Sequence, residues 1–161
     1  MNNSFILNAS PVILLGKAGL LKTISPLAES WIVPEGVVDE IEVKRPIDPY
    51  LSDLTKSSKV SRESVKQIHP LVATWDLGQG ESEVLTLAMQ KAGLRVVLDD
   101  LQARKCAALF QIPLLGSLGL LILAKRTGYI HAARPEIEKL VKAGLHIDFA
   151  MLDRIYKKIG E

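Results

Sequence analysis

Residues 78–111 read GQGESEVLTLAMQKAGLRVVLDDLQARKCAALFQ, and the pattern of this stretch predicts the fold class. The run GQGESEVLTLAMQKAG indicates a helix bounded by glycines, LRVVLDD a strand with a continuous apolar core, and LQARKCAALFQ a second helix. Continuous apolar strands between helices are typical of parallel sheets that are covered on both faces. The stretch therefore predicts an α/β protein.

The alternation of strands and helices continues downstream. IPLLGS predicts a strand and LGLLILAKRTG a helix, and residues 135–143 and 149–159 predict two more helices. We expect these C-terminal helices, at about residues 135–160, to pack on the same sheet. A chain of this length predicts one domain over residues 1–161.

Upstream of the same stretch, two short apolar runs predict further strands at Phe5–Leu7 and Trp31–Val33. Ser10 followed by Pro11 predicts the start of a helix, with Ser10 as its cap. Residues 44–67 contain many Pro, Ser, Lys and Asp residues, and we expect a helix flanked by loops there.

Composition excludes several classes of protein. Hydrophobic residues make up 48% of the chain and the net charge is +2, so neither a disordered chain nor a histone-like nucleic-acid binder is indicated. The single cysteine, Cys106, excludes an internal disulfide, and His69, His131 and His146 lack zinc-ligand spacing. The start of the chain does not resemble a signal peptide, and the longest apolar run, 114–124, is shorter than the ~20 residues of a membrane span. These features predict a cytoplasmic protein with no membrane partner.

Ligand sites of open parallel sheets lie beyond the carboxyl ends of the strands, near the point where strand order reverses. Four polar residues occupy such ends: Asn8 and Ser10 after the first strand, and Asp99 and Asp100 after RVVL. Structural roles compete with ligand binding, because Ser10 and Asp100 each stand where a helix cap is expected. Asp99, at the strand tip, has no such predicted structural role.

Two acids near the start of the central helix, Glu81 and Glu83, are predicted to face opposite ways. At about 100° per residue, Glu81 points the same way as Val84 and Leu85, towards the sheet, and Glu83 points towards water. A favourable interaction with the helix dipole is the structural alternative for Glu81. Several oxygen ligands on one rim, without histidine or cysteine, suit a hard divalent cation such as Mg²⁺ or Mn²⁺. Since such ions bridge to phosphate oxygens, the sequence points to phosphate chemistry.

In their order and spacing these residues resemble the PIN domain, a nuclease fold with four acidic positions. LNASP stands at the first position, VPEGVVDEI at the second, GQGESEVLTLA at the third and VVLDD at the fourth. The later LLGSLGLLILAKRTGYI and the helical tail are similar to an uncharacterised branch of that family, so the resemblance covers nearly the whole chain. It implies a three-layer α/β/α sandwich on a mainly parallel central sheet.

The resemblance also implies hydrolysis of single-stranded RNA with the help of Mg²⁺ or Mn²⁺. The ligands and catalytic residues it implies are Glu81, Asp99, Asp100, Glu40 and Asn8, with Ser10 hydrogen-bonded to the first ligand position. Asp39 and Glu42 lie within two residues of Glu40 and compete for its role. Arg104 and Lys105 are candidates for contact with the RNA backbone, and a solvated helix face is their structural alternative. Many relatives are VapC-like toxins that form homodimers and are silenced by an antitoxin protein.

Asn8 departs from the family pattern, which usually has aspartate at this position. An amide offers a carbonyl oxygen to a metal ion but no charge, so the ion site is expected to be weaker. Three interpretations remain open at this point. They are a metal-dependent ribonuclease in which Asn8 orients water or the phosphate, a PIN-like module that binds nucleic acid or protein without catalysis, and an α/β domain whose acids only cap helices.

Overall fold

The computed structural model of the chain describes residues 3–161, which form a five-stranded parallel sheet flanked by ten α-helices. The strands are β1 (Ser4–Leu7), β2 (Ser30–Pro34), β3 (Lys59–Glu63), β4 (Arg95–Val97) and β5 (Leu114–Leu115). The helices up to the last strand are α1 (Ala9–Lys17), α2 (Leu21–Ile24), α3 (Glu35–Glu42), α4 (Asp48–Leu54), α5 (Pro70–Ala73), α6 (Gln79–Gln90) and α7 (Leu101–Leu109). The last three are α8 (Ser117–Arg126), α9 (Arg134–Ala143) and α10 (Phe149–Lys158), and a 3₁₀ turn covers Ser25–Leu27.

The strand order is β3-β2-β1-β4-β5, and every neighbouring pair is parallel. The chain builds outward from β1 to β2 and β3, then returns to the other side of β1 to add β4 and β5. The order therefore reverses next to β1, between it and β4. The α/β prediction, with a parallel sheet in a PIN-like three-layer α/β/α arrangement, is confirmed.

The middle of the sheet is buried on both faces. All four residues of β1 are buried, and the Phe5 and Trp31 rings on adjacent strands stack with their centroids 5.2 Å apart. Burying apolar side chains on both faces is the expected way to stabilise a parallel sheet, at about 25 cal/mol for each Å² removed from water. No helix within residues 3–161 is long and apolar enough to cross a membrane.

The first helix starts earlier than the sequence predicts. α1 begins at Ala9 with Asn8 at the cap position, and no side chain caps it. The prediction that Ser10 is the cap is therefore wrong, because Ser10 and Pro11 both lie within the first turn. Proline is tolerated there because the amides of the first turn have no acceptor within the helix.

The segment 44–67 contains a strand as well as the predicted helix. α4 (Asp48–Leu54) is the helix, and β3 (Lys59–Glu63) pairs with β2 at the edge of the sheet. The sequence of β3, KVSRE, has a single apolar residue, because an edge strand needs little burial. Its polar composition explains why it was predicted as loop.

The C-terminal helices are joined to the rest of the protein by Glu161. Its carboxylate accepts hydrogen bonds from Lys125 Nζ at 2.7 Å and from the backbone amides of Ala133 and Arg134 at 2.8 and 2.9 Å. Lys125 Nζ also donates to the carbonyl oxygen of Ile159 at 2.6 Å. The hydrogen bond from Lys125, helped by those from the two amides, lowers the pKa of Glu161 to about 2. This contact ties the end of α10 to α8 and to the start of α9.

Candidate active site

Asn8 and Asp99 lie on adjacent strands at the point where strand order reverses. Asn8 directly follows β1, Asp99 follows β4 by two residues, and the backbone amide of Asn8 donates to the carbonyl oxygen of Val97 at 3.2 Å. Since both strands are parallel, their carboxyl ends meet at one edge of the sheet. This is the edge where open α/β sheets bind ligands.

The side chain of Asn8 is buried and only partly satisfied. Its exposed fraction is 1%. Its carbonyl oxygen Oδ1 is the one buried side-chain nitrogen or oxygen atom within residues 3–161 that has no hydrogen-bond partner. The Asn8 amide lies close enough to Glu81 to offset part of the rise in the pKa of that carboxyl that burial causes. An unpaired buried carbonyl oxygen costs about 1–3 kcal/mol, so we expect a water molecule, a ligand or an ion to bind it at this edge.

Glu81 is the half-buried centre of the acidic group. It lies in the first turn of α6, where its Oε2 accepts from the amide of Gly78 at 3.3 Å. Burial raises its pKa, and the negative charges of Asp100 and Glu40 raise it further, whereas the hydrogen bonds from Gly78 and Asn8 lower it in part. Such a group of like charges around a partly desolvated carboxyl is typical of functional sites.

Glu40, on α3, approaches Glu81 across the α3–α6 contact. A Cβ built on Gly80 lies 3.1 Å from Glu40 Oε2, so the Glu40 side chain lies directly over the backbone of α6. The charge of Glu40 acts on Glu81, whereas that of Glu42 acts on Arg62. Among Asp39, Glu40 and Glu42, the three acids that compete for this role, the geometry therefore favours Glu40, although Asp39 and Glu40 both line a small cavity that Glu81 also lines.

Asp99 is bound to the first turn of α8. Its Oδ1 accepts from the Ser117 amide at 2.8 Å, and its Oδ2 accepts from Ser117 Oγ at 2.6 Å. The expectation that Asp99 has no structural role is therefore wrong, because it caps α8 from a neighbouring strand. Each oxygen keeps a second lone pair, so this contact does not exclude a ligand.

Asp100 and Ser10 complete the rim. Asp100 caps α7 as expected, with Oδ2 accepting from the Ala103 amide at 2.9 Å, and it is exposed. Ser10 is exposed in the first turn of α1. Both residues line a cavity of about 520 Å³, together with Glu81, Asp99 and residues 143–146.

A second cavity continues from the first. It has a volume of about 710 Å³ and shares Asp99, Leu145 and His146 with its neighbour. Its walls are mostly apolar side chains of β5, α8 and α10, and Arg104 lies among them. A Cβ built on Gly116 lies 2.8 Å from Arg104 Nη1 and 2.9 Å from Asp99 Oδ1, which places these two side chains beside each other. Lys105 is exposed one residue further along α7.

Glu83 lies in the interior, contrary to the prediction that it faces water. Its exposed fraction is 5%, and its carboxylate accepts from Gly36 N at 3.0 Å and from Gln79 Nε2 at 2.7 Å. The helical wheel was misleading because α6 is covered on almost every side, including at Ser82 and Thr86. The only sequence feature that pointed to Glu83 was the presence of two acids, Glu81 and Glu83, two residues apart at the start of the central helix.

The donor set suits a hard divalent cation, although the side chains are not gathered around a single point. No three acidic, histidine or cysteine side chains within residues 3–161 converge closely enough to hold an ion as they stand. The available donors are nevertheless all oxygens, one of them is the unpaired carbonyl of Asn8, and Glu81 is surrounded by like charges. A bound divalent ion would pair with the unpaired oxygen and reduce the repulsion between the carboxylates.

The comparison with known families agrees with this architecture. A PIN domain family matches residues 4–161, nearly the whole chain. The protein therefore belongs to the PIN domain family, whose fold is of the nuclease type. No curated protein and no solved structure matches the chain.

Proposed function

We propose that the protein is a Mg²⁺- or Mn²⁺-dependent endoribonuclease that hydrolyses phosphodiester bonds of single-stranded RNA. One observation carries the proposal: the buried, unpaired carbonyl oxygen of Asn8 lies next to Glu81, a carboxyl that is crowded by two other acids. An unpaired buried oxygen donor beside a carboxyl that other acids crowd favours binding of a divalent ion.

The residues that would hold the ion are Glu81, Asp99, Asp100, Glu40 and Asn8. A bound ion supplies activation of water and neutralisation of phosphate charge. The Asn8 amide lies next to Glu81 and favours its ionised form, and the Asn8 carbonyl oxygen remains available. Ser10, on the rim of the cavity, is a hydroxyl within the same space and can donate to a phosphate oxygen or a ligand.

An RNA strand is the favoured substrate because the two cavities form a continuous groove. Arg104 lines this groove next to Asp99 and can contact a phosphate of the strand, and Lys105 extends the basic surface. In the toxin arrangement expected of the family, the enzyme acts in the cytoplasm as a homodimer, and an antitoxin protein covers the groove. These partners belong to the proposal, which membership of a family with a nuclease-type fold supports in general.

A second function is favoured by two of the same residues. Asn8 is neutral where an acid is expected, and both oxygens of Asp99 already accept hydrogen bonds from Ser117. A site with fewer free anionic ligands binds a divalent ion more weakly. The alternative function is therefore a PIN module that binds nucleic acid or protein in the same groove without cleaving it.

Cleavage of labelled single-stranded RNA tests the two functions. Pure wild-type protein is incubated with Mn²⁺ or Mg²⁺ beside Glu81→Gln, Asp99→Asn and Asn8→Asp. Glu138→Gln is the matched control, since it removes an exposed acid on α9 that pairs with Arg134. We expect the wild type and Glu138→Gln to cleave in a chelator-sensitive way, and Glu81→Gln to be slower by about 100-fold or more.

Each other result has a distinct meaning. Cleavage by Asn8→Asp alone favours the binding module, because restoring one charge then restores the reaction. Cleavage that survives both Glu81→Gln and chelation contradicts the proposal, since it identifies a contaminant or another site. Inactivity of every variant, with no Mn²⁺ binding by calorimetry, contradicts the metal site itself.

A further inference from the structure

The buried carboxylate of Glu83 has no part in the proposed ion site, yet each of its two oxygens accepts a hydrogen bond. Its Oε1 accepts from the backbone amide of Gly36, and its Oε2 accepts from the side-chain amide of Gln79. Burying an acid costs several kcal/mol unless its oxygens are satisfied. Two good hydrogen bonds in the interior therefore indicate a specific role for this side chain.

Gly36 lies in the first turn of α3, where backbone amides lack an acceptor within the helix. The cap position of α3 is Pro34, which has no polar side chain, and α3 has no side-chain cap of its own. Glu83 supplies the missing acceptor from α6. Its position also places a carboxylate at the positive end of the helix dipole.

The contact leaves no room for a side chain at Gly36 and little room at Gly80. A Cβ on Gly36 would lie 2.3 Å from Glu83 Oε2, closer than atoms can approach. A Cβ on Gly80, in α6, would lie 3.3 Å from Val37 Cγ2 and 3.1 Å from Glu40 Oε2. One glycine in each helix thus lets the other helix come close.

Glu40 follows Gly36 by one helical turn, so both residues lie on the same face of α3. The Glu83 contact fixes the first turn of that helix, and Glu40 then reaches over Gly80 towards Glu81. We infer that Glu83 is a positioning residue: its buried carboxylate docks the start of α3 onto α6 and thereby holds Glu40 beside Glu81. This inference deepens the proposed function and rests on it, because it assigns the placement of one ligand of the proposed ion site.

The decisive variants differ in whether residue 83 can still accept a hydrogen bond. Glu83→Met removes both acceptor oxygens at a similar side-chain size. Glu83→Gln is the conservative rescue variant, because its carbonyl oxygen can still accept from Gly36 and, once the Gln79 amide turns over, its amide can donate to Gln79. Glu35→Gln controls for loss of another first-turn acid of α3, one that pairs with Arg62 at the surface.

Two measurements follow the position of Glu40. Calorimetry gives the Mn²⁺ affinity, and NMR gives the paramagnetic broadening that Mn²⁺ causes at the amides of Glu40 and Asp99. We expect Glu83→Met to lower the affinity about tenfold and to reduce the broadening at Glu40 more than at Asp99. Glu83→Gln should retain most of the affinity, and Glu35→Gln should match the wild type. A purely stabilising role would lower the melting temperature without this selective loss at Glu40.

Unchanged affinity and unchanged broadening in Glu83→Met overturn the inference while the proposed function stands. If the wild type itself binds no Mn²⁺, the proposed function fails, and amide hydrogen exchange in the metal-free protein decides the docking role. Exchange at Gly36 should then be at least about tenfold faster in Glu83→Met than in Glu35→Gln. Equal exchange in these two variants overturns the docking role as well.

Discussion

The side chains of Asn8 and Glu81 lie next to each other at the carboxyl edge of the sheet, where the Asn8 amide partly offsets the rise in the Glu81 pKa that burial causes, and the Asn8 carbonyl oxygen stays buried and unpaired. The pair connects the end of β1 with the first turn of α6. An ionised aspartate in place of Asn8 would instead add a like charge beside Glu81. The neutral amide therefore limits the negative charge around Glu81.

Asn8→Asp is expected to strengthen ion binding and to weaken the metal-free fold. A buried carboxylate beside Glu81 adds an anionic ligand, which should raise the Mn²⁺ affinity about tenfold. Without metal, the like charges should lower the free energy of unfolding by about 1–3 kcal/mol. Calorimetry and urea unfolding with and without Mn²⁺ measure both effects. Equal affinity in the two proteins would place the ion away from Asn8.

Replacements of Asp99 should separate its charge from its hydrogen bonds. In Asp99→Asn the carbonyl can still accept from the Ser117 amide and the side-chain amide can donate to Ser117 Oγ, so stability should change by less than about 1 kcal/mol. Asp99→Ala leaves the start of α8 uncapped and should cost about 1–3 kcal/mol. Both should impair Mn²⁺ binding. Urea unfolding and calorimetry compare them, and a large loss of stability in Asp99→Asn would contradict this assignment.

Gly36→Ala should destabilise the protein through Glu83. The new Cβ would meet Glu83 Oε2, and the resulting shift should lower the free energy of unfolding by about 1–3 kcal/mol. In the presence of Glu83→Ala the same replacement should cost less, because the obstructing atoms are gone. A double-mutant cycle by urea unfolding should give a coupling of about 0.5–3 kcal/mol. Strict additivity would mean that the two residues do not share a contact.

Arg104→Ala should weaken binding of single-stranded RNA several-fold and reduce its dependence on salt. Arg104 lines the groove beside Asp99, and Arg126, which is exposed on α8 outside both cavities, serves as the matched control. Loss of a phosphate contact lowers the salt slope by about 0.7 for a single strand. Fluorescence anisotropy at several salt concentrations measures the slope. A larger effect of Lys105→Ala would assign the RNA path to a different face of α7.

Glu161 should make the protein sensitive to acid. Its folded pKa of about 2 lies below its ordinary value of 4.5, so its stabilising contribution is present above pH 4.5 and is lost as the pH falls towards 2. In Glu161→Gln that contribution is absent throughout. The difference in unfolding free energy between wild type and variant should be constant near neutrality and shrink below pH 4.5. A difference that does not change with pH would contradict the role of the Lys125 contact.

The sequence predicted the parts of this fold that depend on continuous apolar runs. Phe5–Leu7 and Trp31–Val33 are recognisable because central parallel strands are apolar on both faces. β3 was missed because an edge strand can be polar and still form its hydrogen bonds to β2. Asp100 was correctly assigned as a cap, since capping depends on residues that are adjacent in the chain.

Contacts between distant segments account for the errors at the site. The wheel placed Glu83 in water because it treats a helix as having one buried face, whereas α6 is covered by α3 on the side of Glu83. The hydrogen bonds that Ser117 donates to Asp99 could not be predicted, because they depend on how β4 lies against β5. The unpaired carbonyl oxygen of Asn8 likewise could not be predicted, because it depends on which groups surround Asn8 in the folded protein.

The central position of β1 has a consequence for the order in which the site can form during synthesis. Asn8 precedes its neighbours Glu81 and Asp99 in the chain, so it leaves the ribosome well before them. Phe5 of β1 pairs with Arg95 of β4, and contacts between segments so far apart in the chain form slowly. A nascent chain that exposes only β1–β3 therefore carries Asn8 without Glu81 and Asp99, and this edge of the sheet is completed only after β4 has been synthesised.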